Sequence, residues 1–229
     1  MKIGIIAAME EELKLLLEKL QEKKTAIYLE NTYYSGRLGK HDVVLVQSGV
    51  GKVMAAMSVA VLINNFEVDA LINTGSAGAL APDLAVGDVV VADRLAYHDV
   101  DLTAFGYAFG QMSGQPLYFE SDRQMVQTFE KVLDQHQIKS KIGLITTSDS
   151  FMASQAKTDF VKEHFPDVQA VEMEGAAVAQ AARAAKRPFI VVRAMSDTAA
   201  HDANLTFDEF ILEAGRLSAQ LILAFLEEI

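Results

Sequence analysis

Short apolar runs alternate with stretches of helical periodicity along the chain. Residues 2–8, centred on Ile3, Ile5 and Ile6, read as a buried strand. Residues 10–20 follow as a helix, because Leu13, Leu16, Leu17 and Leu20 share one face. The same reading predicts strands at 42–47, 70–73, 86–93, 142–147, 170–172 and 189–195, and helices at 53–64, 122–135, 175–186 and 207–227. The last helix opens on Thr206-Phe207-Asp208-Glu209, which has capping-box spacing. Phe207, Phe210, Ile211, Ala214, Leu217, Leu221, Ile222 and Phe225 then recur at the 3.6-residue period.

Strands alternating with helices imply an α/β fold with a largely parallel sheet covered on both faces. Ligands in such sheets bind at the carboxyl ends of strands. No repeat, low-complexity segment or linker interrupts the pattern, and Pro82, Pro116, Pro166 and Pro188 are scattered, so one domain over 1–229 is expected.

Composition narrows the function classes. The 229 residues carry 20 Lys+Arg against 31 Asp+Glu, a formal net charge of −11. That surplus argues against nucleic acid, which needs clustered cations, and against an anionic membrane surface. The charge-free stretch 53–66 contains Ser58, Asn64 and Asn65 and is too short to span a bilayer. Glu10-Glu11-Glu12 directly follows the first apolar run, which does not suit a signal peptide. With no cysteine, disulfides, thiolate nucleophiles and Cys-ligated metals are excluded. A cytoplasmic protein is expected.

Several unusual polar or glycine-containing segments fall just after predicted strands. Ala7-Ala8-Met9-Glu10-Glu11-Glu12 turns from the first strand into the first helix, where a phosphate site would place glycines and an open helix end. Three carboxylates there repel phosphate. Glu10 and Glu11 are accounted for by the helix dipole, and one of the three is a candidate catalytic acid or base. Ser48-Gly49-Val50-Gly51-Lys52 fails as a Walker A loop, having Val46 and Val53 where Gly and Ser/Thr are needed. Tight packing and close approach to a ligand explain its glycines equally well.

Asn73-Thr74-Gly75-Ser76-Ala77-Gly78 suits backbone amides facing a small ligand, although an ordinary turn could use the same residues. In Val171-Glu172-Met173-Glu174-Gly175 an extended chain would point Glu172 and Glu174 to one side and Met173 to the other. Such paired carboxylates can accept hydrogen bonds from vicinal hydroxyls. Asp197, at the rim of the apolar strand through Phe189-Ile190-Val191-Val192, would have its pKa raised by burial unless Arg193 lay close; Ser196-Asp197 could equally be a cap.

Tyr97-His98-Asp99-Val100-Asp101 contains metal-ligand types without any recognised spacing, so no metal is expected. His41, His136, His164 and His201 read as solvent-facing or capping residues, and no G-x-S-x-G marks a serine nucleophile. The stretch 102–119, with Phe105, Tyr107, Phe109, Tyr118 and Phe119, reads as a loop either tucked under itself or buried against another subunit, and its aromatic enrichment favours a dimer contact.

Taken together and in order, Ile5-Ile6-Ala7-Ala8-Met9-Glu10-Glu11-Glu12, Ser48 to Lys52, Asn73 to Gly78, Val171-Glu172-Met173-Glu174 and Arg193-Ala194-Met195-Ser196-Asp197 resemble the 5′-methylthioadenosine/S-adenosylhomocysteine nucleosidases, of the nucleoside phosphorylase/hydrolase superfamily. The resemblance implies a three-layer α/β/α sandwich with a central mixed β-sheet, acting as a homodimer without metal or organic cofactor. It makes Glu12 the base that activates water and Asp197 the acid that protonates adenine N7, with Ser196 orienting Asp197. Glu174 would accept the ribose hydroxyls, Met173 would pack on the ribose, and Glu172 and Arg193 would form the supporting polar shell. Phe151 would stack on adenine and the Met152 backbone would read its edge. Met9, Val50, Ser76, Ala77, Gly78 and Phe207 would line the remainder, and Leu102 and Phe105 would reach the partner subunit's alkylthio pocket. Ser113 departs from the family's frequent proline beside that pocket.

Breaking an N-glycosidic bond leaves positive charge on the ribosyl ring, and adenine leaves poorly as an anion. An acid and a base on opposite faces of the sugar meet both needs. The alternatives are a phosphorolytic purine nucleoside phosphorylase, an aminodeoxyfutalosine nucleosidase, and a nucleoside-binding module without catalysis.

Overall fold

A computed structural model describes residues 1–199 and 203–229, without the side chains of 203–206. The chain runs β1 (Lys2–Ala7), α1 (Glu10–Lys19), β2 (Gln21–Tyr28), β3 (Asn31–Leu38), β4 (His41–Gln47), α2 (Lys52–Phe66), β5 (Ala70–Ala79) and β6 (Val89–Tyr97). It continues through β7 (Phe119–Glu120), α3 (Arg123–Gln135), β8 (Ser140–Thr147), α4 (Gln155–His164), β9 (Val168–Glu172), α5 (Gly175–Ala184), β10 (Phe189–Asp197) and α6 (Ala203–Glu228).

The sheet is mixed rather than largely parallel. β1 pairs in parallel with β4 and β5, β5 with β10, and β8 with β6 and β9. β10–β6, β5–β9, β3–β4, β2–β3 and β6–β7 are antiparallel. Following the pairings from β5 through β10, β6, β8 and β9 leads back to β5, so these strands close on themselves.

Helices cover both faces, giving the three layers. β10 displays the alternation: Phe189, Val191 and Met195 join the core beneath α2 and α5, while Ile190, Val192 and Ala194 join the core beneath α1, α3 and α6. Gly4 lets α2 approach β1, since a Cβ there would lie 3.0 Å from Leu62 and Leu71. Gly215 brings α6 against the start of α1, where a Cβ would sit 2.8 Å from the Glu11 carbonyl oxygen and 3.1 Å from Glu12 Cα. Thr74 Oγ1 and Ser218 Oγ, buried 2.5 Å apart, tie β5 to the same helix.

Several elements depart from the sequence expectation, among them β7, whose two residues are too few to show a period. The β2–β3 hairpin was not expected, because its two-residue turn is Leu29-Glu30, with φ of 50° and 70°. Such a turn ordinarily uses Asn or Gly. α4 was not expected either, since only Thr158 and Val161 of its ten residues are buried. α6 starts at Ala203, so Phe207 lies within the helix rather than at its first turn. The Thr206 side chain proposed for a capping box lies outside the described residues, as does His201. Among the described residues, no helix is long and apolar enough to cross a membrane.

Candidate active site

The carboxyl ends of β1, β8, β9 and β10, the outer half of β5 and the first turn of α1 converge on a cavity of about 410 Å³. Sequence reasoning named Met9, Glu12, Val50, Ser76, Ala77, Gly78, Phe151, Met152, Glu172, Met173, Glu174, Ser196, Asp197 and Phe207, and all of these line it. Ala8, Ser150 and Val171 line it as well and were not singled out.

Glu12 sits in the first turn of α1 with its side chain turned inward, 2% exposed. Its Oε2 accepts from the N–H groups of Ala8 (3.0 Å) and Met9 (3.1 Å), which closes the turn from β1 into the helix. Its Oε1 accepts from the Ser76 N–H and hydroxyl, both at 2.9 Å, which draws β5 in. Gly75 is required there: a Cβ would lie 2.8 Å from Glu12 Oε1. Glu10 is exposed and Glu11 half-buried, consistent with their reading as dipole charges.

Glu172 and Glu174 on the cavity wall form a buried ionic cluster with Arg193, which was also named from sequence but lies behind them and does not line the cavity. Arg193 is fully buried in β10 and its Nη2 donates to Glu172 Oε2, to Asn73 Oδ1 at 2.7 Å and to Glu174 Oε2 at 3.5 Å. Burial pulls its pKa down, but Glu172 and Glu174 outweigh that and raise it, so it is held charged. Glu172 also accepts from the N–H groups of Glu174 (3.0 Å) and Gly175 (2.7 Å) and from the Thr147 hydroxyl. Its oxygens are thus spent on structure.

Glu174 keeps a different role. Burial pushes its pKa up to about 7 despite Arg193, with Glu172 adding to the rise. Among the described residues its Oε1 accepts only the Gly51 N–H, at 2.9 Å, leaving acceptor capacity toward the cavity. β9 ends at Glu172 and Glu174 caps α5, so the extended alternation stops there. The expectation that Met173 faces away is corrected: it lines the cavity beside both carboxylates.

Asp197 also lines the cavity, 2% exposed at the last position of β10. Burial raises its pKa; the Ala199 N–H at 2.7 Å and the Ser196 hydroxyl at 3.0 Å oppose that rise. Arg193 turns toward Glu172 and Glu174 and is not among the groups that shift Asp197. The cap reading and the buried-acid reading therefore both hold for this residue. Gly78 leaves it room, because a Cβ there would be 2.8 Å from Asp197 Oδ1.

Phe151 from the β8–α4 loop and Phe207 from α6 meet edge to face at 5.6 Å, and Phe151 remains 40% exposed. Leu102, Phe105 and Ser113 do not reach this cavity from their own chain. Phe105 is 79% exposed, and the Ser113 hydroxyl pairs with Tyr107 at 3.0 Å. The rest of the aromatic stretch is tucked in: Phe119 is buried and Phe109 packs on Phe160, His164 and Phe165. His41 is buried rather than solvent-facing, with Nε2 3.1 Å from the Ile229 carbonyl, because the end of α6 covers the start of β4. Among the described residues, no group of three His, Cys, Asp or Glu could hold a metal ion.

Residues 2–227 match the family model of the phosphorylase superfamily. A 5′-methylthioadenosine/S-adenosylhomocysteine nucleosidase of Anoxybacillus flavithermus is 44% identical over 230 aligned positions, covering 100% of this chain and 99% of the relative. Among solved structures, an S-adenosylhomocysteine nucleosidase of Streptococcus pyogenes in complex with 5-methylthiotubericidin superposes with a TM-score of 0.99 at 64% identity, covering 100% of this chain and 97% of that one. The Streptococcus pneumoniae methylthioadenosine/S-adenosylhomocysteine nucleosidase with a transition-state inhibitor superposes with a TM-score of 0.97 at 60% identity, covering 100% and 99%.

Proposed function

The chain belongs to the phosphorylase superfamily and, within it, to the 5′-methylthioadenosine/S-adenosylhomocysteine nucleosidases, and on that premise we propose that Glu12 and Asp197 hydrolyse the N-glycosidic bond of 5′-methylthioadenosine, S-adenosylhomocysteine and 5′-deoxyadenosine, releasing adenine and the 5′-substituted ribose. One observation carries the reading: two buried carboxylates, each in its own hydrogen-bonded setting, line a single cavity with Glu174 on the wall of the same cavity.

Asp197, whose raised pKa favours the protonated form, gives its proton to adenine N7 and turns a poor anionic leaving group into a neutral base. Ser196 orients it. Glu12 takes a proton from the attacking water, and its negative charge stabilises the cationic ribosyl ring. Glu174 accepts the ribose hydroxyls, while Glu172 and Arg193 fix its position. Phe151 stacks on adenine and the Met152 backbone reads its edge. Because Phe105 is exposed on its own chain, we assign it, with Leu102 and Ser113, to the alkylthio pocket of a second copy. A monomeric mass in light scattering of the active protein would remove that assignment.

Phosphorolysis is disfavoured by charge: where phosphate would have to sit, the α1 turn presents Glu10, Glu11 and Glu12. Adenine release from 5′-methylthioadenosine is expected to proceed at the same rate with and without added phosphate, yielding free 5-methylthioribose. Formation of the sugar 1-phosphate, or dependence on phosphate, would overturn hydrolysis.

A further inference from the structure

Just outside the cavity, three loops meet at one lysine. The Lys52 ammonium lies 2.6 Å from Asp99 Oδ2 and 3.5 Å from Asp149 Oδ2, and 5.4 Å above the centre of the Tyr97 ring. Asp99 Oδ2 also accepts the Asp149 N–H at 3.0 Å. Asp149 Oδ1 accepts the Lys52 N–H at 2.8 Å, the first N–H of α2. Helix starts leave such groups without partners, and the residue before α2 is Gly51, which has no side chain to supply one. Asp149 therefore caps α2 from a loop 97 residues away.

Gly51 is shaped to this arrangement. Its φ is +103°, and a Cβ would lie 3.1 Å from Asp149 Oδ1. Its own N–H donates to Glu174 Oε1 at 2.9 Å. Val50 on one side of this junction and Ser150, Phe151 and Met152 on the other line the cavity.

We propose that Asp149, supported by Lys52 and Asp99, is a positioning residue: by capping α2 it holds the Gly51 N–H on the Glu174 carboxylate and so sets the ribose-binding acceptor. This rests on the reading of Glu174 given above. Asp149 does not line the cavity and acts through Gly51.

The variants that test it are Asp149→Ala, Asp149→Asn and Lys52→Met, each alone and Asp149→Ala also in a Glu174→Ala background. Asp149→Ala is expected to lower kcat/KM for 5′-methylthioadenosine roughly tenfold, mostly through KM, as the loss of one hydrogen bond to a charged group implies. Asp149→Asn keeps the oxygen that accepts the Lys52 N–H and should restore most of that loss, and Lys52→Met should fall between the two. In the Glu174→Ala background, Asp149→Ala should cost little more. An equal cost in both backgrounds, or no cost in the native one, would overturn the proposal.

A second readout does not depend on turnover. Glu174 faces Arg193, Glu172 and Glu12 as well as Gly51, and the Gly51 N–H is one of the groups that lower its pKa. A carboxyl whose folded pKa is raised makes stability fall as pH rises from its unfolded value toward about 7. Measured as the Tm difference from Glu174→Gln across pH 4 to 9, that fall should move to higher pH in Asp149→Ala. An unchanged midpoint would overturn the positioning role. If the native protein released no adenine, the nucleosidase reading would fail while this titration still decided the Gly51 contact.

Discussion

Replacing Asp197 by asparagine is expected to lower kcat for adenine release about 10³-fold or more, within the range that positioned proton donors supply. The amide can hydrogen-bond to N7 but cannot give up a proton to it, and it fits the site. Its oxygen can accept the Ala199 N–H as Oδ1 does at 2.7 Å, and its NH₂ can face Ser196 Oγ, whose hydroxyl can turn to the Ala77 carbonyl 3.4 Å away. Affinity for a non-hydrolysable substrate analogue should therefore stay within a few-fold of native, and Tm should hold. The pH profile sharpens the test. Asp197 acts protonated and burial raises its pKa, so native kcat/KM should decline as pH rises through that value. The variant should lose that decline. Turnover near the native level would remove Asp197 from the acid role.

The second large effect belongs to Glu12, and there the conservative substitution is not conservative. Two N–H donors face Oε2, and an N–H and a hydroxyl face Oε1. A glutamine at this position must aim its NH₂ at one of those pairs. If it faces Ala8 and Met9, both of their N–H groups lose a partner; if it faces Ser76, the backbone N–H does. A buried donor left unsatisfied costs about 1–3 kcal/mol, so Glu12→Gln should lower Tm by several degrees. Turnover, measured well below that Tm, should fall roughly 10²–10⁴-fold. Native Tm with lost activity would contradict the four-donor geometry. Native activity would contradict the assignment of the base.

The contrast between these residues bears on what the sequence made legible. The strands ending near Ala7, Gln47, Thr147, Glu172 and Met195 were readable from their apolar runs, and candidate residues could be sought just beyond them. The strand read as ending at Asn73 instead runs on to Ala79, because the small residues of Gly75 to Gly78 pair with β10 rather than turn. The partnerships among those residues were not readable. Arg193 meets Asn73 across 120 residues, and Gly51 meets Glu174 across 123. No local period records such distances. The β2–β3 hairpin escaped because Leu29-Glu30 carries no turn signature and β2 is exposed on nearly every residue, so no apolar alternation marks it. The orientation that extended-chain alternation gives Met173 fails because β9 ends one residue earlier, at Glu172, whereas the family resemblance places Met173 at the ribose and it does line the cavity. The family resemblance supplied roles that neither period nor spacing could.

The closed circuit of β5, β10, β6, β8 and β9 carries a consequence for the behaviour of the protein in concentrated solution. A strand with a neighbour on each side offers no free backbone donors and acceptors to another molecule. Among the described residues, open edges remain only at two-residue β7 and at β2. β2 begins Gln21-Glu22-Lys23-Lys24, and Glu22 stands at φ 53° where the pairing with β3 slips register. A charged, irregular border of this kind resists growth by strand addition, even with Ile27 exposed farther along it. The carboxylates at the cavity are held by a sheet whose remaining rim is poorly suited to recruiting strands from other copies.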